Sequence, residues 1–160
     1  MKIKAIKTKI FRENENLIDF ILRYIVAIPE KSVLVITSKI VALSEGRTVA
    51  INPKIPHDKM REKIIRAESK YAVKTKLTWL TIKDGMVMSS AGIDESNANG
   101  KIVLLPKNSF KAAAAVRKAL KRRYKVKKIG VLITDSRLLP LRAGIVGAAL
   151  GYSGFKGVRD

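Results

Sequence analysis

Two apolar, strand-like runs, Leu77 to Ile82 and Met86 to Ser90, flank Lys83-Asp84-Gly85. Asp-Gly between such runs is a hairpin signature, because both residues tolerate the positive φ that a tight turn requires. Helices and strands otherwise alternate along the chain, and an antiparallel hairpin among them argues against a purely parallel, doubly wound sheet. The expected class is therefore α+β, with mixed sheets and flanking helices. The second hairpin strand leads directly into Ala91-Gly92-Ile93-Asp94-Glu95-Ser96-Asn97.

The rest of the chain reads as short alternating elements. Lys2 to Ile10 alternates apolar and basic residues, the period of a half-buried strand. Asn14 or Asn16 caps a helix to about Ala27, closed off by Pro29. Ser32 to Thr37 has the composition of a buried strand and runs into Ser38-Lys39, a helical turn ending at Gly46. A short strand over Arg47 to Ile51 follows. Asp58 opens an amphipathic helix with Met60, Ile64, Ala67 and Tyr71 on one face. Lys101 to Leu105 is a strand ended by Pro106, and Asn108 or Ser109 caps a helix through Arg122 with Ala112, Ala113, Val116 and Leu120 inward. Lys127 to Thr134 and, after a loop bearing Pro140, Ile145 to Leu150 complete the strands. No repeat or linker interrupts the pattern, and 160 residues fit one domain, or two small packed lobes.

Asp94 and Asp135 each follow strand-like residues and each has short oxygen-bearing neighbours: Ser96 and Asn97 in one case, Thr134 and Ser136 in the other. Two readings stand open. The aspartates are turn residues closing strand ends, or they hold a hard cation such as Mg²⁺ or Mn²⁺, which takes oxygen ligands and leaves positions for water and phosphate. Cysteine is absent and His57 is the one histidine, so a zinc site and a histidine dyad are both out of reach. Glu45-Gly46-Arg47 reads by itself as a helix end with an exposed pair worth under ~1 kcal/mol, and Ser38 as the cap of the turn after its strand.

Thirty-three Lys and Arg against thirteen Asp and Glu give a net charge of +20, a strong positive surface potential. Three accounts compete: steering of anionic nucleotide and cofactor, nucleic-acid binding, and a generally basic composition. Nucleic acid is not favoured, because common RNA-binding modules add stacking aromatics and this chain has four Phe, four Tyr and one Trp. Leu17 to Ile28 is too short to span a bilayer and carries Asp19 and Arg23. The N-terminus shows no signal-peptide apolar region. A cytoplasmic protein with no membrane partner is expected.

Ser38-Lys39-Ile40-Val41, Ser44-Glu45-Gly46-Arg47, Asp84-Gly85, Gly92-Ile93-Asp94-Glu95-Ser96-Asn97, Leu104-Leu105-Pro106 and Gly130 to Ser136 follow one another in that order. This series resembles the coenzyme F-420:L-glutamate ligases, which add γ-linked glutamates to a deazaflavin cofactor. The resemblance runs from about Val33 to the C-terminus. It implies a γ-glutamyl ligase-like fold over 1–160 and a GTP-dependent amide ligase working through an acyl phosphate. GTP, L-glutamate and the deazaflavin would be its partners, and the assembly a homodimer. Asp94 and Asp135 would be metal ligands, Ser136 would ligate a second Mg²⁺ or Mn²⁺ where the family usually has threonine, and Ser38, Lys39 and Asn97 would border the nucleotide.

The departures are equally specific. The lysine the family usually places after Ser-Lys-x-Val is Leu43 here. After Asp135 the usual Thr-Phe-Gly-Arg-Pro-Trp-Arg is Ser136-Arg137-Leu138-Leu139-Pro140-Leu141-Arg142. Arg137 and Arg142 are the remaining candidates for an anion clamp. Near the N-terminus, Pro-Gly-Asp-Asp-Leu becomes Glu13-Asn14-Glu15-Asn16-Leu17. The family's further C-terminal segment, which carries a metal- and nucleotide-binding glutamine, has no counterpart among the 160 residues. A catalytically degenerate relative, serving as an anionic-ligand-binding or scaffold protein, is the alternative to an active ligase.

Overall fold

The computed structural model describes residues 2–96, 98, 100–139 and 141–158. Its elements run α1 (Leu17–Tyr24), β1 (Ser32–Thr37), α2 (Ser38–Ser44), β2 (Thr48–Ala50), α3 (His57–Glu68), β3 (Tyr71–Lys74), β4 (Trp79–Lys83) and β5 (Met86–Ser89). A 3-10 turn (Ser90–Gly92), β6 (Lys101–Val103), α4 (Ser109–Tyr124), β7 (Ile129–Leu138) and β8 (Ile145–Ser153) follow. Among the described residues, three sheets with mixed pairing and four helices make the protein α+β. The chain forms two compact units, one of Met1–Gly46, Pro106–Thr134 and Ala149–Asp160, the other of Arg47–Leu105 and Asp135–Ala148.

In the first unit β1 lies parallel to β7, with Ser32 opposite Ile129 and Thr37 opposite Thr134. The strand order of this sheet is β1-β7-β8. Asn16 caps α1, its Oδ1 accepting from the amides of Ile18 (2.9 Å) and Asp19 (3.1 Å). Asn108 caps α4 through the amide of Lys111 at 2.9 Å. Such caps satisfy helix N–H groups that have no partner within the helix. α4 ends where Lys125 turns left-handed, with Lys121, Arg122 and Arg123 in its last turn, a placement the helix dipole favours. Val41, Ala113, Leu120, Val131 and Ile133 are fully buried, and each large aliphatic side chain so placed contributes roughly 1.5–3 kcal/mol. Gly151 in β8 has to be a glycine, since a Cβ there would meet the Ser109 carbonyl carbon at 2.4 Å. The Glu30 carboxylate accepts from the amides of Lys127 (2.7 Å) and Lys128 (2.6 Å), and these bonds, that of Lys127 foremost, hold it below the usual carboxylate range.

In the second unit β2 pairs antiparallel with β6, and β3-β4-β5 form an antiparallel meander. Asp84 and Gly85 make the β4–β5 turn with φ of 52° and 75°, as their sequence signature requires. Met60 and Ile65 are the buried residues of α3. Arg66 stacks over Trp79, 4.8 Å from the ring centroid.

Four details correct the sequence reading. Residues 2–10 form no strand and are all exposed, Ile10 at 91%; alternation encodes a face, but a ladder also needs a partner. Tyr71 belongs to β3 and not to the α3 face, because the helix ends at Glu68 and Ser69 is extended. β1 is not buried on both faces: Val33 and Val35 remain 51% and 57% exposed. β7 continues to Leu138, so Asp135 and Ser136 lie inside a strand and not at its end.

Candidate functional site

Asp94 is placed by a strained turn. Ser90, Ala91 and Gly92 have φ of 49°, 52° and 71°, three successive residues in a region that L side chains seldom adopt. Two features hold the turn. Thr81 Oγ1, fully buried on β4, accepts the Ala91 amide at 2.8 Å and donates to the Met88 carbonyl at 2.7 Å. Gly92 lies so close to Leu105 that a Cβ would sit 2.7 Å from Leu105 Cδ1. The chain then locks onto Val103 through Asp94 N to Val103 O and Val103 N to Asp94 O, both 2.8 Å. Asp94 therefore occupies an isolated bridge beyond the turn and does not directly end β5. Its Oδ1 accepts the Ser96 amide at 2.7 Å, an Asx turn.

The neighbouring carboxylate faces a different partner. Glu95 Oε2 lies 2.7 Å from His57 Nε2, and its Oε1 lies 3.0 Å from Arg61 Nε. The Arg61 contact is an ion pair by distance, but its N–H is not aimed at the oxygen. These contacts tie the segment after Asp94 to the first turns of α3.

Asp135 sits in β7 with its side chain 22% exposed. Strand alternation sends Asp135 and Arg137 to one face and Ser136 to the other, and Ser136 is exposed while Arg137 is buried. The Arg137 side chain is 5% exposed, with Nε 3.5 Å from Asp135 Oδ2 and Nη1 3.8 Å from Met86 Sδ. Its Nη2 is buried with no hydrogen-bond partner among the described residues.

The remaining candidates are spread over the chain. Ser38 is buried at the first position of α2, whose cap is Thr37, so it does not itself cap the helix. Lys39 beside it is half-buried. Both lie in the first unit, whereas Asp94, Asp135, Ser136, Arg137 and Arg142 lie in the second. Arg142 is exposed in the loop before β8. Asn97 lies outside the described residues. Glu45 and Arg47 serve separate partners: Glu45 accepts the Lys107 amide at 2.7 Å, while Arg47 binds Glu68 at 2.6 Å and the Leu105 carbonyl at 3.0 Å.

Glu68 also pairs with Lys83, which is 9% exposed. Burial, the largest single influence, would raise the Glu68 pKa; the two cations together outweigh it and leave the carboxyl below its ordinary value. Neither Thr81 nor this charge cluster stood out in the sequence. One signal was present for the first: a threonine in an otherwise apolar strand, beside a hairpin, has to spend its hydroxyl on something.

The family model described as F420-0:Gamma-glutamyl ligase matches residues 5–160. The chain belongs to that family. It is 30% identical to the coenzyme F420:L-glutamate ligase of Methanocaldococcus jannaschii, over 100% of this chain and 70% of that protein. To the ligase of the same name from Methanopyrus kandleri it is 32% identical, over 82% of this chain and 58% of that protein. A Methanococcus maripaludis relative is 29% identical, again over all of this chain and 70% of its own length.

In this member of the γ-glutamyl ligase family, Asp94, Asp135 and Ser136 each carry the oxygen donors that hard divalent ions take. Asp135 and Ser136 leave β7 on opposite faces, so their side chains do not converge on one point. No group of three or more His, Cys, Asp or Glu gathers among the described residues, so water and phosphate would complete any coordination. No helix among the described residues is long and apolar enough to cross a membrane.

Proposed function

We propose that this chain is a γ-glutamyl ligase, joining L-glutamate to coenzyme F-420 or a related carboxylate at the expense of GTP, with Mg²⁺ or Mn²⁺. The observation that carries the reading is the family match over residues 5–160, which takes in both aspartates. The location we propose is cytoplasmic and the working state a homodimer. Divalent ions would supply charge neutralisation between phosphate oxygens during phosphoryl transfer to the acceptor carboxylate.

The chain's own residues have definite tasks in this scheme. Asp94, held by the Thr81-anchored turn, presents a carboxylate from backbone that is fixed on both sides. Asp135 would present the second from within β7. Ser136 offers its hydroxyl on the opposite face. Ser38 and Lys39, at the start of α2, would border the phosphates, and Asn97 would hold the nucleotide. Arg142 remains a candidate anion clamp. Such positioning matters because a misplacement of about 1 Å can cost on the order of 10²-fold in rate.

A degenerate, anionic-ligand-binding relative is the second reading, favoured by Leu43 at the lysine position and by Arg137 against Asp135. One assay separates the two. Purified protein is incubated with GTP, Mn²⁺, glutamate and deglutamylated cofactor, and glutamyl addition is read by mass. Turnover that disappears in Asp94→Asn supports the ligase; Mn²⁺-dependent GTP binding without turnover supports the binding protein.

A further inference from the structure

The geometry points to Arg137 as a built-in counter-cation for Asp135, one that lowers the affinity of this carboxylate for a divalent ion. The inference rests on the proposed metal role of Asp135 and adds a regulator to that site. The sequence supplies the first step: two residues along a strand, Arg137 shares a face with Asp135. The structure supplies the second. A guanidinium does not lose its proton in proteins, so Arg137, with a side chain 5% exposed, is a permanent buried charge that needs an anion. Asp135 Oδ2 lies 3.5 Å from its Nε.

A divalent ion arriving at Asp135 would find the carboxylate already neutralised and a fixed positive charge beside it. The rest of the guanidinium shows how the contact is constrained. Nη1 lies against the Met86 sulfur at 3.8 Å, a weak acceptor, and Nη2 is buried with no hydrogen-bond partner among the described residues. The side chain is thus held near Asp135 without a saturated hydrogen-bond set. One rival explanation for the idle Nη2 is that it waits for a phosphate oxygen.

The test uses the full chain as wild type, Arg137→Met and Arg137→Lys, with Mn²⁺ alone as the probe in titration calorimetry. Removing a unit charge at this range should tighten Mn²⁺ binding by at least about tenfold in Arg137→Met, while Arg137→Lys, which keeps the charge, stays near wild type. Equal or weaker binding in a folded Arg137→Met protein overturns the inference and leaves the metal site standing. If neither wild type nor Arg137→Met binds Mn²⁺, the metal reading fails, and this inference falls with it. Inorganic phosphate binding that is lost in Arg137→Met while Mn²⁺ affinity stays unchanged makes Arg137 an anion donor and also overturns it.

A metal-free measurement addresses the pair directly. Asp135→Asn should lower the melting temperature, and Arg137→Met should recover part of that loss in the double variant, because the uncompensated buried charge is gone. Strictly additive losses would mean that the two side chains do not act as a pair.

Discussion

The hydroxyl of Thr81 accepts the amide hydrogen of Ala91 at 2.8 Å, deep in the second unit. That contact joins the middle of a strand to the middle of a left-handed turn, and it also occupies the Met88 carbonyl. Thr81→Val keeps the shape and removes the hydroxyl, leaving a buried donor and acceptor without their partner. The expected cost is about 1–3 kcal/mol in urea or thermal unfolding, together with weaker Mn²⁺ binding as Asp94 loses its anchor. A valine variant as stable as wild type would show that the turn is held by something else.

Gly92→Ala is expected to be harsher than its size suggests. The new methyl meets Leu105, which is 5% exposed, and the residue keeps φ near 71°. Left-handed backbone costs an L-residue roughly 1–2 kcal/mol, and the overlap adds to it. Adding Leu105→Ala should relieve the overlap but not the backbone strain, so the double variant, melted beside each single one, is expected to show losses that do not sum.

Asp94→Asn separates fold from chemistry. The bridge to Val103 uses backbone atoms, and asparagine retains a side-chain oxygen for the Ser96 amide. The fold and most of its stability should therefore be retained. GTP binding in the presence of Mn²⁺ should fall by about tenfold or more, since the variant loses a charge where a cation is proposed. Calorimetry with and without chelator reads both quantities on one preparation.

Glu68 links stability to pH. Its pKa in the folded protein lies below the ordinary 4.5, because Lys83 and Arg47 outweigh the effect of burial. A depressed carboxyl pKa contributes stability that is fully present above the unfolded value and is lost as pH falls through the folded one. Wild type should accordingly lose stability as pH drops below about 4.5. Glu68→Gln should be less stable at neutral pH, by about 3 kcal/mol if the pair behaves as a buried one, and should show a shallower acid limb. Parallel acid limbs in the two proteins would remove Glu68 from this role.

The sequence made the local elements legible and the long-range ones much less so. Asp84-Gly85, Asn16, Asn108 and the Ser32–Thr37 run each carry their instruction within a few residues, and the structure follows them. Lys2 to Ile10 did not behave as its period suggested, because pairing depends on a partner that no local pattern names. Tyr71, four residues past Ala67, fits a helical face and a strand face alike, so its spacing does not decide between them. Among the candidate site residues, Asp94 and Asp135 stand out through short oxygen-bearing neighbours. Arg137 was legible as a departure from the family text, but its burial against Asp135 depended on β7 running on to Leu138. Glu68, Arg47 and Lys83 come from three separated stretches, and only folding makes them neighbours.

The exposed basic and isoleucine-bearing run at residues 2–10 bears on how the protein behaves in concentrated solution. Ile3 and Ile10 stand in water at 82% and 91% exposure on a segment with strand-like alternation, which is the usual recipe for edge-to-edge stacking. Lys2, Lys4, Lys7 and Lys9 accompany them. Copies stacked in register would place like charges about 4.8 Å apart, row upon row. Like charges at that spacing repel, so the lysines that make the segment look like half of a sheet also oppose its stacking, and neutralising them would remove that repulsion between exposed isoleucines.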